Sequence, residues 1–136
     1  MRKLIFAAFI GLALSSCSDS KKQEKDLLDK LLKVHDKVMM NDDALMKNKM
    51  QIDSLLKLPA KDSAEKLNMK ALSTKLRASE EAMEIWMQKF EPDVTNKSHD
   101  EIMKYYEEQR KIILSVDSQM NAAIAESNKY LSNRTK

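Results

Sequence analysis

Cys17 is the only cysteine of the chain, and His35 and His99 are its two histidines. Cys17 closes the stretch Leu14-Ser15-Ser16-Cys17, which follows a positive start at Arg2 and Lys3 and an apolar run from Leu4 to Leu14. Charge, short apolar core, small residues and then cysteine is the order of a bacterial lipoprotein signal. The apolar run is too short for the ~20 residues of a spanning helix. An ordinary secretory signal cut elsewhere, or the first helix of a cytosolic chain, is the plainer alternative. In lipoproteins of this pattern the thiol carries a diacylglycerol and the new amino terminus an N-acyl lipid such as palmitate. At ~0.8 kcal/mol per buried CH₂, two or three such chains hold a protein on a membrane where one would not. Lipidation at Cys17 removes the thiol from disulfide, metal or nucleophilic work, and no other cofactor is expected.

His35, Met39 and Met83 form the second constellation. A neutral imidazole beside thioethers suits soft copper, and His with Met can be axial haem ligands in a helical bundle. Antiparallel packing of three helices would bring these residues to one end with Trp86, Tyr106 and Gln109. The competing reading is structural. Methionines at helical spacing are common core filling, and His35 can hydrogen-bond Gln109 or Tyr106, which makes His35, Trp86, Tyr106 and Gln109 a polar core cluster. No C-x-x-C-H haem attachment is present. His99 falls in a capping turn and is expected to face solvent.

The elements that must position these residues are helical. The single glycine is Gly11, inside the signal, so the chain beyond Cys17 has none. Phosphate-cradling loops, dinucleotide fingerprints and the G-x-S-x-G elbow need glycine where backbone turns sharply or approaches a ligand. Only three Phe, three Tyr and one Trp are present, while Leu, Met, Lys, Glu and Ala abound, a helix-forming composition with little strand bias.

From about Gln23 to Leu58 the apolar positions Leu31, Val38, Leu45 and Ile52 recur every seven residues, which predicts one long amphipathic helix ended by Pro59. Asn41-Asp42-Asp43 could interrupt it, since these residues compete for backbone hydrogen bonds, but the stripe stays in phase across them and a continuous helix is expected. Asp62 and Glu65 read as the capping pair of a second helix to about Phe90, whose face runs through Met69, Leu72, Leu76, Ser79, Met83 and Trp86. Ser98 and Glu101 form an S-x-x-E capping box. The third helix opens there and carries Ile102, Tyr106, Ile113, Val116, Met120, Ala123 and Tyr130 to roughly Leu131, with Gln109 and Ser127 as polar interruptions.

The expected fold is all-α, an antiparallel up-down-up three-helix bundle of long amphipathic helices after an N-terminal signal segment. Residues 1–16 would be signal peptide, 17–24 the lipidated cysteine and a polar tether, 25–132 the bundle, and 133–136 a frayed end. A longer helix pair completed by self-association is the runner-up.

Removing Arg2 and Lys3 with the signal leaves 22 basic against 21 acidic residues, so no basic field for nucleic acid remains. Adjacent carboxylates such as Asp42-Asp43 and Glu80-Glu81 point apart on a helix and read as solvated faces. Asp42 lies seven residues after His35, yet hydrolysis would also need an oxyanion pocket, and a slender bundle offers little concavity. No catalytic residues are expected.

The segments His35-Asp36-Lys37-Val38-Met39, Ala82 to Phe90, Ser98 to Met103 and Tyr106-Glu107-Glu108-Gln109 resemble small helical lipoproteins of Bacteroidetes, of unknown function, some labelled "viral A-type inclusion protein". That label matches generic coiled-coil likeness and is not carried over. The resemblance implies a Gram-negative envelope lipoprotein and supplies no catalytic residue. Members often have a proline soon after the H-D-x-V-M segment, where Met40 and Asn41 stand here. The expected location is the bacterial cell envelope, and Ser18 in place of the aspartate that retains enteric lipoproteins favours the outer membrane. Expected partners are membrane lipid through Cys17, and another envelope protein or a second copy of the chain.

Overall fold

The computed structural model describes the backbone of residues 14–134 and the side chains from Ser18 to Arg134. Residues 1–13, where most of the expected signal falls, the side chains of residues 14–17 including Cys17, and Thr135 and Lys136 lie outside the described residues. The described chain is all-helical, in the order α1 (Leu14–Met40), α2 (Asp42–Leu55), α3 (Ser63–Lys89) and α4 (His99–Arg134).

The heptad stripe becomes the centre of the core: Leu31, Val38, Leu45 and Ile52 are each 0% exposed. They pack with Met69, Leu72, Leu76, Met83 and Trp86 of α3 and with Ile113, Val116, Met120 and Ala123 of α4. A smaller cluster of Leu27, Ile102 and Tyr106, flanked by Leu28, Val94, Met103 and Tyr105, ties the first part of α1 to the start of α4.

The expected continuous first helix is corrected at one residue. Asn41 separates α1 from α2, with φ −88° and ψ −8°. Its N–H donates to Val38 O at 3.0 Å, three residues back, while Leu45 N donates to Asn41 O at 3.0 Å. One tightened turn therefore joins two α-helices and leaves the stripe in phase, which is why Val38 and Leu45 are both fully buried on either side of it. The Asn41 amide also donates across to Asn121 Oδ1 at 3.2 Å. The second helix end moves too. α2 stops at Leu55, because Lys57 N and Leu58 N bond three residues back to Ser54 O and Leu55 O, a tightening imposed by the approach to Pro59.

Residues 17–24, read as a polar tether, are helical and belong to α1. No apolar stripe holds them. Side-chain pairs one turn apart do so instead: Gln23 donates to Asp19 at 3.0 Å and Lys21 lies 3.8 Å from Glu24, the spacing that supports a solvated helix. The far end is likewise more ordered than expected. Ser132, Asn133 and Arg134 remain in α4, and Arg134 Nη1 bonds Glu65 Oε1, the Tyr130 hydroxyl at 2.8 Å and Met69 Sδ at 3.8 Å.

Both capping signals form. Asp62 accepts from Glu65 N at 2.8 Å at the start of α3. At α4, Ser98 N donates to Glu101 Oε2 at 2.8 Å, and Glu101 N donates back to Ser98 Oγ at 3.4 Å. Hydrogen bonds from the Ser98 hydroxyl and N–H hold the Glu101 carboxyl below its ordinary value. Glu65 is lowered by the Lys61 N–H, with Arg134 and Tyr130 adding to it, and Asp93 by the N–H and hydroxyl of Thr95. A carboxylate lowered in the folded state contributes stability that is complete above its unfolded pKa and is lost as pH falls through the folded value. Thermal stability is therefore expected to fall on acidification below the ordinary carboxylate range. Glu101→Gln, which keeps an acceptor but does not titrate, should flatten part of that fall in melts recorded against pH; a variant with the parent's full pH dependence would contradict the assignment.

Cross-helix pairs fix how the elements meet. Lys37 bonds Asp117 at 2.7 Å, Asn41 bonds Asn121, and Asn48 bonds Asn128 at 2.8 Å, each pair 80 residues apart. Positions on α4 thus rise in step with those on α1 and α2. On α3 they fall: Lys49 pairs with Glu80, whereas Asp53 meets Arg77 at 3.5 Å and accepts from the Ser73 hydroxyl at 2.6 Å. Between α3 and α4, Glu65 reaches Tyr130 and Lys75 reaches Glu126, again in opposed order.

Candidate functional site

The residues of the His35 end, the second constellation of the sequence, separate into two environments. The His35 ring lies 5.6 Å from the Trp86 ring, tilted by 36°, and Trp86 is 4% exposed beside the buried Met83. Tyr106 is equally buried but belongs to the Leu27–Ile102 cluster. Met39 is 42% exposed, so its thioether and that of Met83 do not share one dry pocket. The His35 Nδ1 is 3.1 Å from the carboxylate of its neighbour Asp36; the expected hydrogen bond to Gln109 or Tyr106 is replaced by this local one, because the α-helix turns His35 toward α3. Among the described residues no group of three or more His, Cys, Asp or Glu side chains converges as a metal site.

The two environments are joined by rings. Trp86 stacks on Phe90 at 5.1 Å, Phe90 on Tyr105 at 6.1 Å, and Tyr105 meets Tyr106 at 5.8 Å. This ladder carries the end of α3 across to α4, and Lys97 lies 5.9 Å from the Tyr105 ring centroid. The Tyr105 hydroxyl accepts from Glu91 N at 2.7 Å, holding the loop after α3. Burial pushes the Tyr106 hydroxyl up, and the nearby Glu24 carboxylate and Tyr105 add to that. The Trp86 Nε1 is buried without a hydrogen-bond partner among the described residues, so the indole is held by ring packing.

No protein-family model, curated protein or solved structure matches the chain.

His99 corrects another expectation. It does not simply face solvent: its Nδ1 is 2.9 Å from Glu24 Oε1, joining the first residue of α4 to α1. Glu24 also lies 3.8 Å from Lys21. The polar stretch after Cys17 is thereby fastened to the bundle at its last turn.

The polar residue with the densest buried connections escaped the sequence reading. Asn48 is 4% exposed and Ser127 0%. The Asn48 amide donates to Ser127 Oγ and Asn128 Oδ1, both at 2.8 Å, and lies 3.4 Å from Ile124 O. Ser127 Oγ in turn reaches Ala123 O at 2.7 Å. The signal was present: Asn41 and Asn48 are seven residues apart in register with Leu27, Val34 and Leu55, as Asn121 and Asn128 are on α4. A buried amide in such a row fixes register more than it adds stability.

Proposed function

We propose that this chain is a lipid-anchored lipoprotein of the bacterial cell envelope, with a structural or interaction role and no catalysis. The observation that carries the reading is Leu14-Ser15-Ser16-Cys17 placed after a positive, apolar leader and directly before a polar segment that runs into the packed helices. Acylation of Cys17 would hold the folded part at the membrane surface; no described helix is long and apolar enough to cross a membrane. The opposed numbering of the α3 pairs supports an up-down-up bundle in which α1 with α2 forms the first rod, α3 the second and α4 the third. Ser18 after the cysteine favours the outer membrane. Another envelope protein or a second copy of the chain is the protein partner of this reading, and the near balance of charge beyond the signal argues against nucleic acid.

The role assigned follows from what the polar side chains do. Lys37, Lys49, Lys75, Arg77 and Arg134 reach carboxylates on other helices, so their charge ties helix to helix. The test is Cys17→Ala in the native host. The parent is expected in the membrane fraction with a lipid-shifted mass, and the variant without the lipid and released from the membrane; a variant that stays membrane-bound as the parent does would sink the anchor.

A further inference from the structure

We propose that the α2–α3 turn and the first turns of α3 form a tip that docks on an anionic lipid surface. The stretch from Lys57 to Lys70 carries Lys57, Lys61, Lys66 and Lys70, all exposed, and none of them forms a salt bridge with another described residue. Its two carboxylates both make bonds within the fold, although Asp62 is itself exposed. Asp62 caps α3, and Glu65 accepts from Lys61 N, Tyr130 and Arg134. Four lysines against these two carboxylates leave the tip with a net positive charge. On the flanks Lys37, Lys49 and Lys75 are neutralised across helices, while Lys30, Lys33 and Lys47 also form no salt bridge with another described residue; the tip differs in grouping four such lysines with exposed leucines.

Apolar side chains stand among these cations. Leu58 is 56% exposed, between Lys57 and Pro59 in the turn, and Leu67 is 67% exposed in the second turn of α3. Met50, near the end of α2, is 66% exposed and lines an open groove of about 560 Å³ with Leu55, Leu131 and Arg134. A surface lysine gains about fivefold in partitioning from an anionic leaflet within a Debye length, and an exposed leucine beside it adds burial in the acyl boundary. A soluble polyanion would use the lysines and leave Leu58 in water. The combination selects a lipid surface.

The tip lies at the end of α2, opposite the start of α1. α1 and α2 hold 27 and 14 residues, about 60 Å of helix at 1.5 Å per residue. Docking at the tip rests on the residues of the turn and does not require the anchor at Cys17.

The test uses residues 18–136, made without export so that the chain carries neither the positive apolar leader nor the acyl site, in flotation with phosphatidylcholine vesicles with and without phosphatidylglycerol. The expected result is recovery on the anionic vesicles above that on phosphatidylcholine alone, falling as salt is raised. Lys57→Glu with Lys61→Glu, both exposed and outside the helices, should cut the anionic partitioning at least about tenfold, and the uncharged Leu58→Asn should weaken it while leaving its salt dependence. Lys30→Glu with Lys33→Glu makes the same charge change on the exposed face of α1 and should have a far smaller effect. Equal recovery on both vesicles, full binding by the turn variants, an equal loss in the α1 pair, or displacement by duplex DNA as effective as by anionic vesicles would each overturn the proposal. Because the chain tested lacks the acyl site, failure here and failure of the anchor reading remain distinguishable.

Discussion

Asn48→Asp is expected to lower the free energy of unfolding by about 3 kcal/mol, because it puts a carboxylate into a buried site with too few donors to meet it. The Asn48 amide now donates to Ser127 Oγ and Asn128 Oδ1 and sits by Ile124 O. A carboxylate in its place would face oxygens. Ser127 could turn its hydroxyl only by leaving Ala123 O, and a rotated Asn128 amide would supply one donor at the edge of the core. Asn48→Leu should behave differently. Ser127 keeps its own helix carbonyl, Asn128 is solvent-exposed, and the apolar replacement leaves no buried group unmet, so stability should stay within about 1 kcal/mol of the parent. Chemical denaturation of both variants measures the difference, and an aspartate variant as stable as the leucine one would show that the site is wet.

The second large effect belongs to the heptad stripe. Leu45 is 0% exposed at the centre of the main cluster, and Leu45→Ala is expected to cost about 3 kcal/mol through lost apolar transfer and a cavity that three helices cannot jointly collapse. Met40→Ala is the matched control: Met40 is 83% exposed, only a few residues away, and its truncation should change stability by less than about 0.5 kcal/mol. Thermal and denaturant unfolding distinguish the two. Similar losses in both variants would mean that the stripe is not the core.

For a chain of this size, marginal stability makes such changes consequential. A loss near 3 kcal/mol at either site would consume much of what holds the rods together. The polar row and the apolar stripe are interleaved at seven-residue intervals on the same helices, so the two variants test register and packing separately.

The helical class, three of the helix boundaries and both caps were legible because they are local facts. The start and end of α3 and the start of α4 fall where Asp62 with Glu65, Phe90 and Ser98 with Glu101 put them, whereas the helix before Pro59 ends three residues earlier than expected. Leu31, Val38, Leu45 and Ile52 declare a buried face through their spacing. The expected lipoprotein signal before Cys17 rests on order along the chain alone. Its chemistry stays on the sequence, outside the described side chains.

What tertiary structure decided is which polar atoms meet. Periodicity placed His35 near α3 but could not distinguish a hydrogen bond to Gln109 or Tyr106 from the ring contact with Trp86 and the adjacent Asp36 that are found. It could not see that His99 reaches Glu24, 75 residues away, or that Arg134 secures a terminus read as frayed. Asn41 and Asn48 were visible as a seven-residue repeat, yet whether they break a helix or lock it to another depends on what α4 presents opposite them. Burial follows from the spacing of side chains along one helix, and a single sequence carries that spacing. Pairing follows from the offset between helices, which exists only once they have packed.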